Sequence, residues 1–161
     1  MNFETRIRQL RAAQKKLPDR LKAASRNATL RAVEVAADLT PPTEDDLRGT
    51  NTRSGEMKQH WATDSVTDPS VSGDQYTTIL ANNKEYSSYV NDGHRMDRHF
   101  VPGLVINEKS GMLEYNPDGK GGIIVGTKTK YVPGIHMVDE AKKAFQDTLK
   151  EELHDLGDLL K

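Results

Sequence analysis

Apolar residues recur at steps of three and four along the N-terminal part of the chain. Phe3, Ile7, Leu10, Gln14 and Leu17 begin the stripe, and Leu21, Ala24, Ala28, Ala32, Val35 and Leu39 continue it. This period predicts a helical segment over residues 1–39. Pro18 lies inside it. A proline lacks the amide donor and crowds the preceding turn, so a kink or a helix restart is expected at Lys16–Pro18. The alanines of the second part make a low face suited to close packing on a sheet or another helix. Thr40-Pro41-Pro42-Thr43 ends the helix, because a residue before proline is pushed out of helical backbone. Residues 44–53 are polar without a period and read as a loop. Ser54-Gly55-Glu56-Met57 then opens a short helix, with Ser54 as its cap and Met57 one turn from Trp61. The single tryptophan reads as a core or interface anchor.

Strand patterns follow. Trp61–Thr67 has β-propensity, Asp68-Pro69-Ser70 and Ser72-Gly73-Asp74 are turn clusters, and Gln75–Ala81 is expected to pair back in an antiparallel hairpin. In that last strand Tyr76, Thr78 and Leu80 face one way and Thr77, Ile79 and Ala81 the other. Next, Tyr86, Tyr89 and Val90 share one face of a helical turn, which Asn91-Asp92-Gly93 stops, with Gly93 in the left-handed position. Tyr86 and Tyr89 are expected to join Phe145 and Leu149 in one core. Residues 95–134 read as mostly irregular. Phe100–Ile106 is a short strand candidate. Met112–Tyr115 and Ile123–Val125 are expected to form a hairpin around the glycine-rich tip at 116–122. This region, about 95–130, reads as a protruding loop or hairpin, and long excursions of that kind commonly carry function. Its apolar pieces Leu104-Val105-Ile106 and Ile123-Ile124-Val125, with Arg95 and Phe100, mark it as the expected subunit or partner interface, because exposed strand edges invite pairing with another chain. A last helix is expected from about His136 to Leu160. Its stripe is Val138, Ala141, Phe145, Leu149, Leu153, Leu156 and Leu160, with Asp139, Glu140 and Lys161 suiting the helix dipole. The fold class predicted is α+β, with a small antiparallel sheet packed by a long N-terminal and a long C-terminal helix in one domain over 1–161.

Composition changes this picture in one respect. With 161 residues the chain is long enough for a modest core, yet 35% apolar and 29% charged residues make it polar for a monomeric globule. Such a chain suits a fold completed against neighbours. Lys and Arg total 23 against 24 Asp and Glu, which disfavours a dedicated nucleic-acid binder but leaves room for a local basic patch. Arg6, Arg8, Arg11, Lys15 and Lys16 make such a patch, either a solvated helical face or an arm for an acidic partner. The absence of cysteine removes disulfide and thiolate chemistry. Neither an apolar signal core nor a run of membrane-spanning length occurs, so the expectation is a soluble protein made in the cytoplasm, without a membrane partner.

Candidate chemistry is sparse. Asp92, His94, Asp97 and His99 are of metal-ligating type, but their spacing fits no closed zinc pattern, and a charged loop root with His94 bonded to a nearby carbonyl accounts for them. Gly119-Lys120-Gly121-Gly122 lacks the spacing of a phosphate loop and suits a hairpin tip. Gly126-Thr127-Lys128-Thr129-Lys130 fits a solvated strand end as well as a phosphate contact. No nucleophile elbow, paired-carboxylate motif or His-Glu-x-x-His run is present. The expectation is therefore no catalytic residues, no cofactor and no metal. A metal-dependent enzyme using His94 and His99, and a small nucleic-acid-binding module, stand as alternatives.

The order of motifs carries a resemblance. A helical segment ends in Thr40-Pro41-Pro42, and Arg53-Ser54-Gly55-Glu56-Met57 leads a short helix into strands. The run Tyr86-Ser87-Ser88-Tyr89-Val90-Asn91-Asp92-Gly93-His94-Arg95 follows, then Tyr131-Val132-Pro133-Gly134-Ile135-His136-Met137 and the last helix. This resembles the tail-component, or head–tail joining, family of long-tailed double-stranded DNA phages, from about residue 18 onward. Ser54-Gly55 stands for the family's Thr-Gly, Ser87 for Ala and Asn91 for Glu, and the insert at 95–130 is longer than in the simplest members. Tyr86, Tyr89, Gly93, Pro133 and Gly134 are the structural anchors in these motifs. The resemblance implies a virion protein without enzymatic activity that forms a ring, usually a hexamer, at the neck or tail end. Its implied partners are copies of itself, neighbouring neck or connector proteins and tail-tube or sheath proteins, with genomic DNA passing through the ring without sequence-specific binding.

Overall fold

Helix α1 (Phe3–Leu39) runs through Pro18 as one 37-residue element, so the expected restart is not found. Proline removes a single amide donor, and in a helix this long the turns on both sides keep theirs. At the far end Thr40 leaves helical backbone, with φ −78° and ψ 125°, ahead of the two prolines as expected. This computed structural model describes residues 2–42, 55–107, 109, 111, 113–116, 120–126 and 130–158. The expected loop at 44–53 and the Ser54 cap lie outside the described residues.

The chain divides into two compact units, Met1–Ser87 with Ile135–Lys161, and Ser88–Gly134. In the first, α1 packs against α4 (Met137–Asp158). Asn27 donates to Glu152 across 2.8 Å, and Thr40 lies 3.0 Å from the sulfur of Met137, so the two helices are antiparallel. The core is built on alanines four apart. Ala24, Ala28, Ala32 and Ala36 are all 2% exposed or less, and Thr29 and Val33 join them. Small side chains at every turn let α4 come close, with Met137 and Ala141 fully buried opposite. Val35 and Leu39, expected on the buried stripe, are half-buried at its edge. On α4 the buried row starts at Met137, one residue before the expected Val138. Val138 and Leu153 are therefore turned out at 40% and 43% exposure, while Phe145, Leu149 and Leu156 are half-buried. Leu160 and Lys161 lie outside the described residues.

Helix α2 (Glu56–Asp64) starts from Gly55 in left-handed backbone and buries Met57 and Trp61 one turn apart. The strand expected over Trp61–Thr67 is thus corrected. The i, i+4 burial of those two large side chains fixes a helix, and β1 (Val66–Ser72) begins only after it. Asp68-Pro69-Ser70 is not a turn but part of β1. The register of β1 against β2 (Gln75–Ile79) shifts between Val66 and Ser70, where the ladder passes a residue that has no amide to give. The hairpin turns at Gly73-Asp74, with Gly73 at φ 59°, the conformation that a two-residue reversal asks of its first central residue. Tyr76 and Thr78 point inward and Gln75, Thr77 and Ile79 outward, as the alternation predicts.

The second unit is one nested antiparallel ribbon. After the short α3 (Ser87–Asp92), β3 (Gly93–Arg95) pairs with β8 (Tyr131–Pro133). Inside that pair, β4 (His99–Pro102) pairs with β7 (Gly122–Val125), and inside that, β5 (Leu104–Ile106) pairs with β6 (Leu113–Tyr115). Two expectations change here. Among the described residues of 95–134 most belong to short paired strands rather than to irregular chain, and β6 and β7 do not pair with each other. The reversal between β5 and β6 involves Asn107, Lys109 and Gly111, upstream of the stretch expected to form the tip. Asn107 organises that reversal by accepting from the Lys109 and Gly111 amides through its side chain and carbonyl, both at 2.8 Å. The described part of the expected tip lies on the return path. Asn116 donates to Gly103 and Gly103 to Gly121, at 2.8 and 3.0 Å. The architecture is α+β with long terminal helices and small antiparallel pairings.

Candidate functional site

The first unit supplies a fixed frame. The Thr40 hydroxyl donates to the Ala36 carbonyl at 2.6 Å and accepts from Trp61 Nε1–H at 2.7 Å, with the Met137 sulfur alongside. One fully buried hydroxyl thereby ties the end of α1 to α2 and to the start of α4. The Thr29 hydroxyl similarly meets the Ser25 carbonyl at 2.8 Å and the Thr78 hydroxyl at 2.7 Å, joining α1 to β2. Beside it runs an apolar groove lined by Ala32, Thr78, Leu80, Ala141 and Phe145. The chain after β2 is strapped to α2. Asp64 Oδ2 accepts from the Asn83 amide at 2.8 Å and lies 2.8 Å from His60 Nδ1. The Asn83 N–H first, then His60, hold the Asp64 carboxyl below the usual aspartate range. Lys84 reaches Glu56 at 2.7 Å, and that contact lowers the glutamate and raises the lysine.

Two surfaces contrast with this frame. One is the ribbon of the second unit, where Gly103 is the single buried residue among those described. Phe100, Ile106, Ile124 and Tyr131 are 57%, 59%, 48% and 54% exposed. The ribbon holds its shape through backbone pairing and close glycine contacts. Gly93, at φ 82°, presses against the Val132 carbonyl and the Gly134 amide, and the Phe100 ring lies over Gly122 where a Cβ would stand. Tyr131 donates its hydroxyl to the Asp92 carbonyl at 3.2 Å, closing the base of the ribbon. The other surface is the N-terminal half of α1. No residue from Phe3 to Ala23 is buried, and Phe3, Leu10 and Leu17 are exposed.

The interface residues named from sequence all fall on the ribbon. Arg95 lies on β3, Phe100 on β4, Leu104, Val105 and Ile106 on β5, and Ile123, Ile124 and Val125 on β7. Pairing brings Phe100 opposite Ile124. Leu104, Val105, Ile123 and Val125 are half-buried within the ribbon, and Phe100, Ile106 and Ile124 are presented outward. Of the anchors, Gly93, Pro133 and Gly134 meet at the ribbon's base, Gly93 opposite Pro133. The tyrosines do not behave as expected. Tyr86 and Tyr89 are 44% and 59% exposed, so neither enters a core with Phe145 and Leu149. Tyr89 instead meets His94 edge-on, ring centroids 5.9 Å apart. The helical turn that carries it is too short to have a buried face.

His94 Nδ1 faces the Tyr89 carbonyl at 3.4 Å and His99 Nδ1 the Asp97 carbonyl at 2.7 Å, which fits the loop-root reading of this cluster. Among the described residues, no three His, Asp or Glu side chains converge in a way that would hold a metal ion. Sequence reasoning missed Tyr131, Asp64 and the bare half of α1 as features of the site. Asp64 followed by the Asn82-Asn83 pair carried too little pattern to find, whereas the α1 stripe was visible and only its lack of a cover was not. No helix among the described residues is long and apolar enough to cross a membrane. Comparison with family models, with curated proteins and with solved structures returns no match.

Proposed function

We propose that this chain is a structural subunit of a phage neck or tail end, which forms a ring, hexameric on the family pattern, that completes the tail and joins it to the DNA-filled head. The observation that carries this reading is the ribbon over Gly93–Pro133. Two-stranded ribbons are marginal alone in water, and this one presents large apolar side chains without a core of its own among the described residues. Such a segment gains its stability by docking on another chain, through its edges and its apolar face. The polar, nearly neutral composition and the motif order support the same reading. The His94/His99 metal-dependent enzyme alternative has less support, since among the described residues no three His, Asp or Glu side chains come together in a way that would hold a metal ion.

Electron microscopy of the purified protein tests the proposal, with rings as the expected result. Replacing residues 104–124 by a short Gly/Ser linker should leave the helical unit folded and block joining of heads to tails. Protein that shows no rings, together with normal joining by the linker variant, would overturn it.

A further inference from the structure

Three contacts give the order of elements round α1. Arg26 pairs with Asp68 of β1 at 3.4 Å, the Thr29 hydroxyl meets that of Thr78 on β2 at 2.7 Å, and Ala32 lines the apolar groove with Ala141 and Phe145 of α4. Each step of three residues turns a helix face by about 60° in one direction, so the order is β1, β2, groove, α4. The groove therefore runs along the edge of β2 that β1 leaves free. Among the described residues no strand pairs with that edge. Backbone groups alternate in the side to which they point along a strand. The Thr77 carbonyl and the Ala81 amide turn towards the β1 side, where they meet the Ser70 and Ser65 hydroxyls at 3.4 and 3.0 Å. Tyr76 and Thr78 accordingly turn their N–H and C=O groups to the groove. The two edges of this hairpin are not alike. β1 carries Asp68, Pro69 and a register shift, devices that discourage a further strand. β2 reads Gln75-Tyr76-Thr77-Thr78-Ile79, without charge, proline or glycine.

We propose that β7 of a second copy adds to the β2 edge as a third strand and lowers Ile124 into the groove. The inference rests on the ring reading above and names what the ribbon docks on. An edge that offers N–H and C=O groups at every second residue is matched by another strand, whose groups repeat at the same spacing of about 6.8 Å. The chain's own strands are not equal candidates. A second β2 already has Tyr76 and Thr78 turned to its own helical unit, so pairing of two β2 edges would leave the groove floor bare. In the ribbon, the Gly103 amide donates to the Gly121 carbonyl, which continues the β4–β7 register. Counting from that bond, Val101 and Ile123 bond inside the pair, and Phe100 and Ile124 turn their backbone groups to the outer edges. The β4 edge has Pro102 as its next outward residue, with no N–H to offer, whereas the β7 edge has Gly122 and Ile124 without charge or proline. Ile124 thus joins an edge-facing backbone to an exposed side chain. Residues opposite each other in an antiparallel pair share a face. Ile124 set against the inward Thr78 therefore faces Ala32, Ala141 and Phe145, and Phe100, one strand further out, follows on the α4 side. Groove and ribbon are different surfaces, so the contact is head-to-tail and closes into a ring when the rotation closes.

The chain has no cysteine, so introduced thiols report the contact directly. Full-length Leu80→Cys and Ile124→Cys variants are mixed, treated with a short bis-maleimide and run on a denaturing gel. A covalent dimer is expected from this mixture, and none from Val71→Cys on β1 mixed with Ile124→Cys. Val138→Cys with Phe100→Cys is the second pair, and circular dichroism checks that each variant keeps its helices. Ile124→Asp would set a carboxylate in the groove and should weaken assembly by about tenfold or more, read by light scattering on a sizing column. Rings in the electron microscope without either cross-link overturn the inference and leave the ring reading standing. Cross-linking of Leu80→Cys to itself assigns the edge to a second β2 and overturns it as well. So does a double variant, Leu80→Cys with Ile124→Cys, that closes within one chain at high dilution, since the ribbon then covers its own groove. Cross-links in assemblies that form no ring leave the inference standing and remove the ring reading. A wild type that stays monomeric at every concentration removes both.

Discussion

The two units are held together by opposite means. In the helical unit, side chains do the work: a ridge of alanines, Met137, Trp61 and one shared hydroxyl close a core that backbone pairing alone would not specify. In the ribbon, backbone pairs and glycine contacts fix the path, and the large side chains are left facing out. A region whose stability rests on buried side chains loses it when they are cut. A region whose stability rests on its backbone tolerates the same cuts.

Trp61→Ala attacks the first unit where it is densest. Trp61 is 4% exposed, so the loss should be about 3–5 kcal/mol by denaturant unfolding, with the Thr40 hydroxyl also left without a donor. A cost below about 1 kcal/mol would mean that the three-helix junction is not the core. Gly93→Ala attacks the ribbon at its backbone. Left-handed geometry alone costs an alanine about 1–2 kcal/mol, and its Cβ would meet the Val132 carbonyl. Hydrogen exchange should quicken at Met96, whose amide bonds to Lys130, while the α1 and α4 amides keep their protection. Equal loss in both units would erase the contrast.

Phe100→Ser with Ile124→Ser sharpens it from the other side. Both residues are outward, so the unfolding midpoint of the helical unit should move by less than about 0.5 kcal/mol equivalent, while ring or head–tail assembly fails. Normal assembly would take the ribbon face out of the interface. The smallest effect is one of pH. Asp64 is held below the ordinary aspartate range, so it supplies stability above that range, and this is lost as the pH falls through its lowered folded-state value. Asp64→Asn should flatten that acid limb of the stability curve and leave the limb above neutrality unchanged. An identical acid limb in both proteins would show that the strap contributes nothing.

Where sequence reasoning succeeded, a local rule had no competitor. The Ala24-Ala28-Ala32 period, the proline stop after Leu39, the alternation from Gln75 to Ile79 and the left-handed Gly93 each follow from a few adjacent residues. Trp61 is read from the sequence both as one turn from Met57 on a short helix and as the start of a strand, and burial of the two side chains on one side decides for the helix. The ribbon failed for another reason. Met112–Tyr115 and Ile123–Val125 are near in sequence, but register is decided by where the chain reverses, and Asn107 is a weaker turn signal in the sequence than the glycines at 119–122. Burial of Tyr86 and Tyr89 depended on tertiary placement, which spacing does not carry. The outward placement of Phe100, Ile106 and Ile124 was legible for a reason the tyrosines lacked: short apolar pieces in polar surroundings have nowhere local to go.

The alanine ridge on α1 has a weakness of its own. Identical small residues at every fourth position look the same after a shift of one turn, so packing alone leaves α4 free to settle one notch up or down with little change in contact. Thr40 continues the same row after Ala36, and it differs. Its hydroxyl accepts the indole N–H and sits against the sulfur at the head of α4, so a slip by one turn would strand a polar group in a dry place. The threonine is the end-stop of a sliding joint, and it sets the reach of everything beyond: how far α1 overshoots α4 is measured from that one atom.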